Sequence, residues 1–315
     1  MNKLMRDAFI NVIYEEAKID KKLFFLTADF GAEALDEFRV NLPNQCIHMG
    51  ISEQNMVDFG AGLAIRKNKV VLYAMAPFLI PRAYEQIKSV VSAMNLPIIF
   101  LSVGSGLGYD HATATHFTLE DIALAKAINH MQVWTISDSI LAEKAAKFLL
   151  KNNNLVYVRL ERNKLPNIHE NISEKDLEFG YKVIKDTIDK NKSICIVTYG
   201  YLTHIVNDLV NEMNYNIKVI DIFRIKPLHK NILSELDGFE NIITIEEQIL
   251  EGGLGSGIIE FLIDNSTKSL NSKIHRMGIK DQFDVTNGNR QDLQKKYGIS
   301  KNDIIKKINI LNSEK

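Results

Sequence analysis

The chain has 315 residues, which at about 150 residues per domain predicts two domains, each large enough to bury its own core. Lysine and arginine number 38 against 39 aspartate and glutamate, and this balance argues against the basic excess of a nucleic-acid-binding protein. The longest apolar stretch, at 70–81, is shorter than the ~18 residues that span a bilayer, and the N-terminus lacks a signal peptide's apolar core, so we expect a cytoplasmic protein without membrane contact.

Strand-like apolar runs alternate with amphipathic runs of helical length in the first half of the chain. The expected strands are 23–28, 70–75, 98–103, 133–136 and 155–160. The expected helices are 6–18, 55–65, 83–94, 119–127 and 140–150. The strands are hydrophobic almost throughout, which is typical of parallel sheets covered by helices on both faces. This alternation predicts an α/β domain.

A polar segment that begins at Pro166 separates this block from a second alternating one. In the second block we expect strands at 194–199, 217–222, 242–246 and 273–277 and helices at 202–213, 257–263 and 301–311. The sequence therefore predicts two α/β domains with mostly parallel sheets. Their expected bounds are 1–165 and 186–315, with a linker at 166–185.

The segment 50–56 (GISEQNM), followed by the small-residue run FGAGLA at 59–64, is the richest in chemical signals. Ser52 is a good helix N-cap, and the acidic Glu53 suits the first helical turn. The small residues let another backbone pack very close, and burial at such an interface would favour the protonated form of a carboxyl group. Glu53 is therefore either a capping residue or a functional acid, and the pattern alone leaves both open.

A long polar loop at 104–116 follows an expected strand. Ligands of open α/β sheets bind beyond the carboxyl ends of strands, so we expect His111 or His116 to face a site. Arg159 and Arg162 lie at the end of the expected strand 155–160. They could hold either a structural carboxylate or a substrate phosphate.

Metal and nucleotide sites are not indicated. The eight histidines show no metal-ligand spacing, and Cys46 and Cys195 are isolated, so we expect this chain to bind no metal. The glycines at 252–257 (GGLGSG) match neither the G-x-G-x-x-G pattern nor a P-loop. They favour a structural turn from strand to helix.

The ordered series of motifs resembles the transketolase family over essentially the whole chain. The motifs similar to its pyrimidine-binding domain are GISEQNM, PFLIPRAYEQIK, ATATHFTLEDIALAKAI and VYVRLERNKLP. Those similar to its C-terminal domain are IDIFRIKPLH, ITIEEQILEGGLGSG and GIKDQFDVTNG. The G-D-G motif of the family's diphosphate-binding domain is missing. The chain thus resembles the C-terminal subunit of a split, two-chain transketolase.

The resemblance implies thiamine diphosphate shared with a separate diphosphate-binding subunit, in an α2β2 assembly. That partner would also bind Mg²⁺ or Ca²⁺. Glu53 would donate a hydrogen bond to N1′ of the aminopyrimidine and so favour its 4′-imino tautomer, which requires a protonated carboxyl. Phe78, Met75 and Pro81 would lie against the pyrimidine ring, Met75 as a thioether in place of an aromatic residue.

The resemblance also implies substrate contacts. His116 matches a catalytic histidine near the substrate's oxygens, while Arg162 and Arg6 match arginines that grip a sugar phosphate. Ala112 stands where the family has an aspartate, and a histidine expected near Gly104 is absent. These departures imply transfer of a two-carbon ketol unit on an unusual sugar or sugar phosphate in a specialised pathway.

Three alternatives stay open. The β subunit of a 2-oxo acid dehydrogenase has the same two domains, although Thr115-His116 fits transketolases better. A 1-deoxyxylulose-5-phosphate synthase fragment is disfavoured by the missing first domain. A catalytically silent structural subunit would have no need of Glu53.

Overall fold

The computed structural model describes residues 3–28, 31–186, 194–213, 215–265, 272–282, 285 and 288–313. Its strands are β1 (Leu23–Thr27), β2 (Cys46–His48), β3 (Lys69–Met75), β4 (Ile98–Val103), β5 (Gln132–Thr135), β6 (Val156–Leu160), β7 (Tyr181–Lys185), β8 (Ile194–Thr198), β9 (Ile217–Ile222), β10 (Arg224–Lys226), β11 (Asn241–Ile249) and β12 (Lys273–Ile279). Its helices are α1 (Met5–Ile19), α2 (Ala34–Asn41), α3 (Glu53–Ile65), α4 (Ala76–Arg82), α5 (Tyr84–Gln86), α6 (Asp121–Ala127), α7 (Ser139–Lys151), α8 (Glu174–Phe179), α9 (Tyr201–Glu212), α10 (Ile232–Leu236), α11 (Leu254–Asn265), α12 (Arg290–Lys296) and α13 (Lys301–Ser313). The motif at 278–288 lies partly outside the described residues.

Seven strands form the first sheet, in the order β10-β5-β6-β4-β3-β1-β2. All neighbouring pairs are parallel except β10 with β5. Phe9 of α1 and Leu141 of α7 belong to the core on one face, and Met56 of α3 and Ile122 of α6 to the core on the other. Because helices cover both faces, the strands are apolar on both sides, as their sequences predict.

The second sheet has the order β12-β11-β8-β9-β7, parallel except for the pairing of β7 with β9. The predicted architecture of two mostly parallel α/β sheets is confirmed.

The segment 166–185, expected as a linker, is more structured than its composition suggests. It contains α8, which begins with a reciprocal capping box between Ser173 and Asp176 and ends at Gly180 in a left-handed conformation. It also contains β7, a half-buried edge strand of the second sheet. Short polar helices and edge strands carry little hydrophobic periodicity. The capping residues Ser173 and Asp176 are the local sequence signal that indicates this helix.

The helix expected at 83–94 is irregular. Its first turn is α5, and the chain then continues as a π-helix over Ile87–Ser92. A single inserted π-turn shifts the side chains that follow, a change of phase that periodicity over one short helix does not reveal.

His169 connects the two sheets. Its ring is fully buried, with Nδ1 3.0 Å from Asp138 Oδ2 and Nε2 3.1 Å from Asp221 Oδ2. Asp138 caps α7 beside the first sheet, whereas Asp221 lies in β9 of the second. Burial alone would lower the pKa of His169, but the two carboxylates outweigh it and raise the pKa to about 9.

We expect the free energy of unfolding to contain a pH-dependent contribution from His169. The folded pKa of about 9 lies above the unfolded value of 6.5, so the contribution is complete below pH 6.5 and is lost as the pH rises through about 9. Urea unfolding at several pH values measures it. His169→Asn should abolish this fall in stability. His130→Asn should keep it, because His130 is exposed and its positive φ of 63° suits asparagine. A fall that persists unchanged in His169→Asn would contradict the assignment.

Candidate active site

Four elements bring the predicted site residues to the carboxyl edge of the first sheet. Helix α4 starts directly after β3, and the loop at 104–118 follows β4. Arg162 comes two residues after β6, and Glu53 opens α3 shortly after β2. Because these strands are parallel, their carboxyl ends lie side by side, which is where α/β sheets bind ligands.

Glu53 is buried and ion-paired. Its side chain is 3% exposed, and Arg82 Nη1 donates to Glu53 Oε2 over 2.6 Å. The Arg82 guanidinium lies 4.3 Å from the centroid of the Phe78 ring, one helical turn earlier in α4. The Arg82 guanidinium therefore contacts both the Glu53 carboxyl group and the Phe78 ring.

Arg82 supplies the opposite charge and the hydrogen bond that a buried carboxyl group needs. Arg82 was not predicted from the sequence. Its spacing of four residues from Phe78 was the signal, because residues i and i+4 share a helix face.

His116 lies against the same aromatic ring. Its ring centroid is 5.3 Å from that of Phe78, in an edge-to-face arrangement. Thr115 Oγ1 is 3.0 Å from His116 Nδ1, which restrains the imidazole. Met75 ends β3 at the start of α4, and Pro81 lies near the end of that helix.

Arg162 and His111 form a second group. Arg162 Nη1 lies 2.9 Å from His111 Nδ1, and its guanidinium stacks 4.9 Å from the centroid of the Tyr109 ring. Arg6, on α1, has Asp7 as an ion-pair partner at 3.3 Å. Burial raises the pKa of Tyr109 to about 12, while the charges of Arg162 and Arg6 act in the opposite direction. Both predicted phosphate-binding arginines thus lie around Tyr109.

Arg159 is structural. It is fully buried, with Nε 2.6 Å from Asp121 Oδ2, and Tyr157 donates to the same carboxylate over 2.7 Å. Of the two arginines at this strand end, Arg162 is therefore the one that can meet a substrate.

The glycine-rich turn at 252–257 binds an internal carboxylate. The backbone N–H groups of Leu254 and Gly255 donate to Glu246 over 2.6 and 2.9 Å. Burial outweighs these bonds and raises the pKa of Glu246 to about 7. The helix N-terminus is therefore occupied by Glu246, and the structural interpretation of the glycines holds.

Arg290, at the start of α12, connects the second half of the chain to the end of β6 and to the loop at 104–118. Its Nη1 lies 2.7 Å from Glu161 Oε2 and its Nη2 2.6 Å from Glu247 Oε2. Glu161 in turn accepts from the backbone N–H of Arg162, and Glu247 from that of Leu107 in the 104–118 loop. Arg290 was not predicted either, since nothing local marks a residue that pairs with partners more than 40 positions away.

Within the described ranges, no group of three histidine, cysteine, aspartate or glutamate side chains is arranged to hold a metal ion. None of the helices described above has the length and apolar character required to cross a bilayer.

Two models of known protein families match the chain. The family model "Transketolase, pyrimidine binding domain" matches residues 2–167, and "Transketolase, C-terminal domain" matches 185–304. The chain belongs to the transketolase family. The predicted family resemblance is therefore confirmed.

Two transketolase-family relatives match over nearly their whole length. The chain is 30% identical over 306 residues to one of the subunits of the apulose-4-phosphate transketolase of Phocaeicola vulgatus, covering 96% of this chain and 95% of that protein. It is 28% identical over 309 residues to a putative transketolase C-terminal section of Methanocaldococcus jannaschii, covering 97% and 95%. A 1-deoxy-D-xylulose-5-phosphate synthase of Aliivibrio fischeri is 29% identical over 306 residues, which cover 95% of this chain but 47% of that protein.

Solved structures of the family share the fold. A structure described as a split gene transketolase, inactive beta4 tetramer, matches with a TM-score of 0.82 at 24% identity, covering 99% of this chain and 98% of that one. Transketolase from Campylobacter jejuni matches with a TM-score of 0.78 at 16% identity, covering 99% and 47%.

Proposed function

We propose that this chain is the C-terminal subunit of a two-chain, thiamine diphosphate-dependent transketolase. The enzyme would transfer a two-carbon ketol unit between sugar or sugar phosphate substrates. The observation that carries the proposal is the buried Glu53 carboxyl beside Phe78 and His116, at the ligand-binding edge of a transketolase fold. The names of the Phocaeicola and Methanocaldococcus relatives support a chain that corresponds to the C-terminal part of the enzyme.

The side chains fit the aminopyrimidine of the coenzyme. Glu53 offers a carboxyl group to a ring nitrogen, and Phe78, with Met75 and Pro81 at the two ends of its helix, offers apolar surface. When bound, thiamine diphosphate would supply the electron sink for the two-carbon unit. For Glu53 to donate a hydrogen bond to N1′, its carboxyl must carry a proton.

The substrate would lie along the second group of residues. His116 would hydrogen-bond the sugar oxygens, while Arg162 and Arg6 would hold a phosphate. Ala112 and Gly104 lack the polar side chains that the family pattern has there. We therefore propose an unusual sugar substrate, since a site that lacks a hydrogen-bonding partner selects different analogues.

A separate diphosphate-binding subunit, carrying Mg²⁺ or Ca²⁺, would cover the outer face of α3 in an α2β2 assembly. Ile51, which precedes α3, and Phe59 and Ile65, which lie on it, are exposed apolar side chains. A Cβ added at Gly62 would meet nothing within 4 Å. Exposed apolar side chains beside open backbone favour close packing of another chain. The domain bounds 1–165, 166–185 and 186–315 and a cytoplasmic location stay predictions.

We expect Phe59→Glu to prevent assembly with the partner subunit, because it places a charge among apolar side chains that the partner would bury. The isolated variant should fold normally, as Phe59 is 44% exposed and lies outside the buried core. Size-exclusion chromatography with light scattering measures assembly. Ile19→Glu is the matched control, since Ile19 is exposed at the end of α1, away from α3. This variant should assemble like the wild type. Normal assembly of Phe59→Glu would contradict the proposed interface.

Assays of the reconstituted pair test the function. We expect ketol transfer from a sugar phosphate donor, with low activity on xylulose 5-phosphate and ribose 5-phosphate. Full activity on those two substrates would refute the unusual substrate but not the reaction class. Condensation of pyruvate with glyceraldehyde 3-phosphate, without ketol transfer, would instead assign a 1-deoxyxylulose-5-phosphate synthase reaction.

A further inference from the structure

Tyr109 is a buried tyrosine in the middle of the site whose hydroxyl has no hydrogen-bond partner among the described residues. The side chain as a whole is 5% exposed. A buried hydroxyl without a partner is costly, and most are satisfied in folded proteins. An unsatisfied hydroxyl in a ligand-binding region therefore points to a group that arrives with the ligand.

The Tyr109 ring occupies space that Gly104 leaves open. A Cβ built at residue 104 would lie 1.9 Å from a carbon of the ring, and the backbone there has a φ of +92°. A side chain at 104 and the Tyr109 ring therefore exclude each other. The glycine at 104 is therefore what allows the aromatic ring to occupy this position.

The positive charge around Tyr109 is only partly neutralised. Arg162 contacts the ring face and the nitrogen of His111, and in the described part of the chain it forms no ion pair with a carboxylate. The neighbouring carboxylate of Glu161 is paired with Arg290 instead. Arg6, which also acts on Tyr109, is ion-paired with Asp7 at 3.3 Å. The hydroxyl thus lies in a positive field that a bound anion would complete.

We propose that Tyr109 is a specificity-determining residue whose hydroxyl donates a hydrogen bond to the anionic, phosphate end of the substrate, between Arg6 and Arg162. This inference rests on the proposed function for the identity of the substrate. Because this donor fixes where the anion lies, it would contribute to which sugar phosphates the site accepts.

The test uses Tyr109→Phe in the reconstituted pair and in this chain alone. With the pair, we expect KM for the phosphorylated substrate to rise about 10- to 100-fold, the value of a lost hydrogen bond to a charged group, with kcat nearly unchanged. With this chain alone, calorimetric titration of inorganic phosphate should give weaker binding for the variant by a similar factor. Tyr14→Phe is the matched control, because Tyr14 is also buried but lies on α1, where its hydroxyl accepts a hydrogen bond from Asn41. Loss of the Tyr14 hydroxyl should leave both KM and phosphate binding unchanged.

The outcomes separate this inference from the proposed function. Ketol transfer by the wild-type pair with an unchanged KM in Tyr109→Phe would overturn the role of Tyr109 and leave the function standing. Phosphate binding that weakens in Tyr109→Phe, in a pair without ketol transfer, would support the anion site and refute the function. An equal loss of phosphate binding in Tyr109→Phe and Tyr14→Phe would overturn the inference, since it would reflect general destabilisation.

Discussion

Replacing Glu53 with glutamine should lower kcat of the reconstituted two-chain enzyme by about 10²- to 10⁴-fold, the usual contribution of a positioned acid. Glutamine keeps the size of the side chain but has no carboxyl proton to give to the pyrimidine nitrogen. Steady-state kinetics with both subunits measure the effect.

The control for Glu53→Gln is Glu143→Gln, the same change at an exposed acid on α7, on the other side of the sheet. It should leave kcat unchanged. Both variants should still assemble with the partner, because the exposed Arg82 side chain can be solvated when it loses Glu53. A Glu53→Gln enzyme with wild-type kcat would contradict the role of this residue.

Replacing Arg290 with methionine should lower the free energy of unfolding by about 3–5 kcal/mol, because it leaves the carboxylates of Glu161 and Glu247 buried without their cation. The same change should raise KM, since these carboxylates position the backbone of Arg162 and Leu107. Urea unfolding of this chain gives the first quantity, and kinetics of the pair give the second.

The matched control is Arg39→Met, which removes an arginine whose ion pair with Asp36 is a surface contact at 3.7 Å. It should cost less than about 1 kcal/mol. Equal stability of Arg290→Met and Arg39→Met would show that the buried network does not hold the loop in place.

Much of the fold could be predicted because the buried parallel strands are apolar over their whole length. The elements that were missed are short or lie at an edge. Strand β10 has three residues and joins the first sheet from the second half of the chain, and β7 is half-buried. Their positions depend on tertiary contacts, which leave no periodic pattern in the sequence.

The site residues also divide into those marked by local sequence motifs and those placed by tertiary contacts. The residues carried by local motifs, namely Glu53, Phe78 and His116, lie at one edge of the sheet, although no contact tests their assigned chemical roles. Arg82 and Tyr109 were missed because their importance arises from contacts made through folding. The first pairs with a carboxylate 29 positions earlier, and the second fills the space at Gly104.

We propose that Glu53 activates a coenzyme held between the two subunits. Deuterium exchange at the reactive thiazolium carbon, followed by NMR for thiamine diphosphate bound to the reconstituted pair, tests it most directly. We expect exchange faster than in the free coenzyme, and slower by about 100-fold or more in Glu53→Gln with the coenzyme still bound. Equal exchange rates in the wild type and in Glu53→Gln would contradict it.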